Sequence, residues 1–164
     1  MDKNKFFNYV KSLSDVNVKN NNGETPLFFA CQKGYYNAVK YLIEKGADIN
    51  IKNRCEETPL YNACLGGYVD IVELLIENKV EIDVKESVFN MSPLHIACMN
   101  DHFNIVKTLI ENNAFLDIKN TFGLTPLFYA KSNFGTFKLL IEYGADINVK
   151  NIRGGTLLFA ACIN

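Results

Sequence analysis

The chain has 164 residues, 48% of them hydrophobic and 21% charged, with a formal net charge of -1. That length and balance suit one folded domain and exclude a disordered chain. The near-zero charge argues against a general electrostatic grip on nucleic acid or on an anionic membrane, which needs clustered Lys and Arg, and no apolar run is long enough to span a bilayer.

Residues 1–14 read as a lone helix with Phe6, Tyr9 and Val10 in its apolar slots. Asn8, Tyr9 and Lys11 interrupt the apolar positions, which makes a poor secretory signal. Four similar stretches follow, 15–47, 48–80, 81–114 and 115–145, and then a shorter one, 146–164. Aligned on Leu27, Leu60, Leu94, Leu127 and Leu158, they recur at intervals of 33, 34, 33 and 31 residues. Such a period, with T-P-L at its start, indicates stacked helix-turn-helix units joined by hairpin turns.

Within each unit the letters have physical reasons. All four prolines (Pro26, Pro59, Pro93, Pro126) occupy one slot. Proline suits the first position of a helix, where its missing N–H would have had no partner. The preceding Thr25, Thr58, Ser92 and Thr125 each offer a hydroxyl to cap the first turn. A short helix with small residues follows (Ala30 and Cys31, Ala63 and Cys64, Ala97 and Cys98). Then come a turn (Gly34-Tyr35, Gly67-Tyr68) and a second helix with apolar residues at helical spacing: Val39, Leu42, Ile43; Val72, Leu75, Ile76; Val106, Leu109, Ile110. Gly46 and Gly144 supply the left-handed residue that ends it, Asn113 is a fair substitute and Lys79 a poor one. "ADINIKN" and its copies run out to a tight turn.

Three departures stand out. The stretch Glu86–Phe89 holds one extra residue. Glu56 and Asn90 stand where sister units have the turn glycine, so these two fingers are expected to turn less regularly. In the fourth unit, Leu127 and Leu140 are 13 residues apart where the others have 15, and Lys131 takes the small-residue slot. A shortened first helix is expected there.

"GETPLFFACQKGYYNAVKYLIEKGADIN" and its copies resemble the ankyrin repeat family over essentially the whole chain. The resemblance implies an all-α ankyrin-repeat solenoid of helix-turn-helix units with short β-hairpin-like fingers. Residues 1–164 would form one domain: an N-terminal half repeat, four full repeats and a truncated last one. Fingers and first helices would line its concave side. His95 matches the family's T-P-L-H slot, where the His ties the helix start to neighbouring backbone. Phe28, Tyr61, Phe128 and Phe159 replace that tie with packing. The end at Asn164 leaves no second helix over Leu157, Phe159 and Ile163, so further repeats beyond it or self-association through that helix are expected to cover them.

No catalytic motif, metal-ligand set or cofactor motif is legible, and the chain reads as a non-enzyme that uses no cofactor. Cys31, Cys64, Cys98 and Cys162 repeat one slot about 10 Å apart, too far for a disulfide or one zinc, and read as small buried thiols. Cys55, in a finger, reads as exposed. Unpaired cysteines suit a reducing compartment, so the expected location is the cytoplasm, of its own cell or of one it is delivered into.

The expected activity is that of a non-catalytic scaffold binding a protein partner, with neither nucleic acid nor membrane as ligand. The alternatives are a spacer within a longer array or a self-associating module. Carrying over the family's variable finger and first-helix positions gives polar residues in the first unit (Asn21, Asn22, Glu24). They become apolar further on: Val88, Phe89, Met91, Met99, Phe122 and Leu124 form one expected contact patch, with Arg54 and Glu57 as its polar rim. At Phe89 two outcomes are open, an exposed anchor or a side chain turned inward by the extra residue.

Overall fold

The structure, a computed structural model, describes residues 2–130 and 133–157. Among them are nine helices: α1 (Lys3–Ser12), α2 (Pro26–Lys33), α3 (Tyr36–Glu44), α4 (Pro59–Gly66), α5 (Val69–Glu77), α6 (Pro93–Met99), α7 (Phe103–Glu111), α8 (Pro126–Tyr129) and α9 (Phe134–Glu142). No strand occurs among the described residues. The chain forms two compact units, Met1–Glu81 and Ile82–Asn164.

The Thr-Pro signal works as local chemistry in the first three repeats. Thr25 Oγ1 accepts from Phe28 N at 3.3 Å, Thr58 Oγ1 from Tyr61 N at 3.2 Å, and Ser92 Oγ from His95 N at 3.4 Å. Thr125 does not follow. Its hydroxyl is buried with no partner among the described residues. Here Phe128 N donates to the Thr125 carbonyl at 3.0 Å, three residues back. In α2, α4 and α6 that carbonyl takes the N–H four residues on. The tighter first turn thus uses the amide the hydroxyl would have capped. The same repeat carries the shortened helix the deletion implies, with α8 spanning four residues against eight in α2 and α4. Lys131 lies outside the described residues.

In the Met1–Glu81 unit, α2 packs on α4 and on α3, α4 on α5, α3 on α5, and α1 on α3. α1 therefore takes the place of a second helix. Leu27, Leu42, Leu60 and Leu75 are fully buried, each contributing about 2 kcal/mol through the area it removes from water. Ala30, Cys31, Ala63 and Cys64 have no exposed surface; their small side chains let α2 and α4 lie close. Gly34 ends α2 with φ 70, and a Cβ there would run into the Tyr68 ring, so the turn needs glycine for conformation and for space. On α1, Phe6 and Val10 are buried, but Tyr9 is 43% exposed. Tyr9 lies to the side of the buried face, its ring 6.1 Å from that of Phe6.

In the Ile82–Asn164 unit, α6 packs on α8 and on α7, and α7 on α9. Leu94, Ile105, Leu109, Leu127 and Leu140 fill its core. Lys79 and Asn113 close α5 and α7 with φ 66, as Gly46 and Gly144 close α3 and α9. Leu157, expected to be uncovered, is buried at 5% exposure. Phe159, Ile163 and Cys162 lie outside the described residues.

Candidate functional site: the fingers

Each finger bends around one side chain. Asn20 Oδ1 accepts from Asn22 N at 2.9 Å and Glu24 N at 3.0 Å, while Asn20 N donates to Glu24 O at 2.9 Å. Asn53, Asn120 and Asn151 repeat this pattern, with their Oδ1 atoms taking the amides two and four residues on. Such bonds fix a turn without a strand ladder. The finger with Glu56 is therefore as regular as its sisters, contrary to expectation. Glu56 simply adopts the left-handed conformation, φ 61, that Gly23 holds at φ 80.

The third finger is the irregular one, and Glu86 explains how it closes. The extra residue moves the closing position from four residues on to five. Glu86 N donates to Met91 O at 3.2 Å. The longer carboxylate takes three amides, Val88 N at 2.6 Å, Phe89 N at 2.8 Å and Met91 N at 3.0 Å. Glu86 is buried, so a charged acceptor on three donors takes the place of an amide on two.

Neighbouring tips are joined through backbone. Within the first unit, Arg54 N donates to Asn22 O at 3.0 Å. Within the second, Thr121 N donates to Phe89 O at 2.9 Å and Ile152 N to Phe122 O at 3.1 Å. A Cβ on Gly123 would come within 2.9 Å of Ile152 N, so that contact depends on glycine.

This backbone ladder positions most of the expected contact residues. Phe89 and Phe122 are 49% and 45% exposed, with ring centroids 6.1 Å apart in a stacked arrangement. Phe89 is thus exposed and not turned inward. Val88 and Met99 are also exposed. Met91 is a correction: it is buried at 5% exposure. In the first two fingers the closing residue is Glu24 or Glu57, held outward by the Asn amide at 2.8 and 2.7 Å. Glu86 has no amide N–H to offer, and the closing side chain there is apolar and turns in. Leu124 is half-buried. Arg54 is exposed, and Glu57 is half-buried with its carboxylate on Asn53; both belong to the Met1–Glu81 unit. Ile152, 70% exposed beside Phe122, escaped the sequence reading. In the alignment on the repeat Leu it stands level with Arg54 and Thr121, so the register that named those positions also points to it.

His95 ties the Asn120 finger to the start of α6. Ser92 N donates to its Nδ1 at 3.2 Å, which leaves Nε2 as the protonated nitrogen, donating to Leu124 O at 3.0 Å. Burial pushes its pKa down to about 4; the Leu124 carbonyl opposes this and Lys85 adds to it. The ring is neutral at pH values above its folded pKa. It meets Tyr129 edge-on at 5.9 Å, and Tyr129 OH accepts from Asn120 Nδ2 at 2.8 Å. In the sister slots Phe28, Tyr61 and Phe128 are buried, packing where His95 bonds.

Cys31, Cys64 and Cys98 are buried, and burial pushes their thiols well above the ordinary range. Cys55 is exposed. Among the described residues no group of three or more His, Cys, Asp or Glu could hold a metal ion, and no helix is long and apolar enough to cross a membrane.

A family model described as ankyrin repeats (3 copies) matches residues 2–86 and 80–151. No curated protein matches the chain. Ankyrin repeats generally act as protein–protein interaction modules. The capped Thr-Pro helix starts, the paired helices and the fingers built on Asn20, Asn53 and Asn120 fall within the matched residues, and the chain belongs to the ankyrin repeat family.

Proposed function

We propose that the chain is a non-catalytic cytoplasmic scaffold that binds a protein partner on the finger face of its Ile82–Asn164 unit. The observation that carries this reading is the exposed, stacked Phe89–Phe122 pair on two fingers joined backbone to backbone. A contiguous exposed apolar surface marks an interaction site, and aromatic residues and Met are enriched in interface cores. Ile152, joined to Phe122 through backbone, and Val88 and Met99 are further exposed apolar residues of this unit, and Leu124 is half-buried. Arg54 and Glu57 are proposed contacts on the fingers of the first unit.

An affinity capture with the purified chain, read by mass spectrometry, tests this. The partner captured by the wild type is expected to bind Phe122→Glu at least about tenfold more weakly, a loss of about 1.4 kcal/mol. Phe122 is at a tip and closes no turn, so the variant's melting curve should match the wild type. Unchanged capture by a folded Phe122→Glu chain would remove this surface from consideration.

A further inference from the structure

Two residues of the second unit break the repeat's own lettering at one place. The residue that opens each finger is Asp15, Asp48, Glu81 and Asp146 in four repeats, but Phe115 in the remaining one. The acid has local work: Asp15, Asp48 and Asp146 accept the amide two residues on at 2.8, 3.0 and 2.8 Å. Phe115 gives up that bond and is 69% exposed. The residue after the second helix is Lys45, Asn78 and Asn112 in three repeats, but Tyr143 in the fourth, 49% exposed. Both aromatics line one open groove of about 660 Å³, with Ile110, Leu116 and Ile118 as its apolar wall.

The groove's charge is one-sided. Among the lining residues Asp117 is the one charged side chain. Its Oδ1 accepts from Asp146 N at 3.0 Å, and Asp83 Oδ1 from Phe115 N at 3.1 Å. Neither carboxylate is in an ion pair among the described residues, where the pairs are Lys5–Asp2, Lys52–Glu56, Lys107–Glu111 and Lys138–Glu142. An apolar wall beside the Asp117 carboxylate, which is in no ion pair among the described residues, complements a segment carrying both grease and positive charge.

We infer that this groove is a second docking surface, for a segment of another protein that inserts an aromatic or long aliphatic side chain between Phe115 and Tyr143 and sets a Lys or Arg against Asp117. It is separate from the Phe89–Phe122 finger pair and needs no part of that reading.

The sister repeats supply substitutions compatible with the fold. Phe115→Asn provides the acceptor found in Asp15, without charge. Tyr143→Asn restores the residue at Asn78 and Asn112. Asp117→Asn keeps the acceptor for Asp146 N, as Asn17 and Asn50 do for Asp48 N and Glu81 N. Random-peptide display against the immobilised full chain is the probe. Selected peptides should pair an aromatic or long aliphatic residue with a nearby Lys or Arg. Phe115→Asn should weaken them about tenfold, Tyr143→Asn somewhat less, and Asp117→Asn should abolish the preference for Lys and Arg. Phe122→Glu should leave their affinity unchanged. Selected peptides without a basic residue, or with undiminished affinity for Phe115→Asn, would overturn the inference. So would peptides lost on Phe122→Glu alone, or a wild-type dimer in sedimentation that Phe115→Asn turns into monomer, which would make the occupant a second copy of this chain.

Discussion

The finger built on Glu86 and the finger built on Asn120 lie in the same unit, perform the same bend and are held by different chemistry. Asn120 takes two amides on its Oδ1 and uses its Nδ2 on Tyr129 OH. Glu86 takes three amides on a buried carboxylate and donates nothing from its side chain. One extra residue in the chain makes the difference, because the wider loop places its amides beyond the reach of the shorter side chain. A repeat can thus absorb an insertion without losing its bend, provided the side chain that closes it lengthens as well.

The largest test of this contrast is truncation. Glu86→Ala leaves three amides without their charged acceptor and should cost about 3 kcal/mol; Asn120→Ala should cost about 2 kcal/mol. Urea unfolding of both variants measures the difference, and equal losses would mean that the carboxylate adds nothing over an amide. Glu86→Asn should not rescue the finger, since the shorter side chain cannot span the wider loop.

Acid reads the contact between the two fingers next. His95, beneath the third finger, holds Leu124 of the fourth through its neutral ring. Its folded pKa of about 4 lies below the ordinary value. As pH falls through the ordinary His range, the unfolded chain therefore binds a proton that the folded chain refuses. Stability is fully present above that range and declines on acidification. Between about pH 7 and about pH 5 the loss should be about 2 kcal/mol. His95→Phe, which takes the residue of the sister slots, should remove it. Burial pushes the Asp83 carboxyl up, but Asp83 titrates in both proteins and cancels in their difference. Equal pH profiles for the two proteins would show that the imidazole is not the sensor.

The smallest effects belong to the left-handed residue of each finger, Asn90 at φ 54 and Gly123 at φ 70. Gly123→Ala meets both an unfavourable φ and the nearby Ile152 N, and should cost about 1 kcal/mol or slightly more. Asn90→Gly should change stability by only a few tenths of a kcal/mol, because Asn tolerates that conformation. Thermal melts would resolve the order; a costlier Asn90→Gly would place its weight on the Asn90–Thr121 side-chain bond at 3.2 Å instead.

The features legible in the sequence were those whose cause is local. Proline at the first helical position, the hydroxyl before it and the left-handed helix ends follow from neighbouring residues, and the period itself located them. His95 was legible through its slot. Features that depend on a partner elsewhere were not. Tyr9 shares a helix with Phe6 and Val10, and its exposure depends on where α3 and α2 lie. Met91 looked like a tip residue because the letters do not say which side of a five-residue closure faces the helices. Thr125 carries the right hydroxyl, yet the tightened turn of α8 uses the amide it would have met. Glu86 stood openly in the Asn column, and its meaning emerged only with the amides around it.

The inward Asn or Glu that closes each bend leaves the outermost side chains with no part in closing it. Replacing Val88, Phe89, Phe122, Ile152 or Arg153 therefore demands little of the fold, and these sites can be randomised as a block. Surface chemistry along this edge is free to drift during descent, or to be varied in a library, on a framework that needs no redesign.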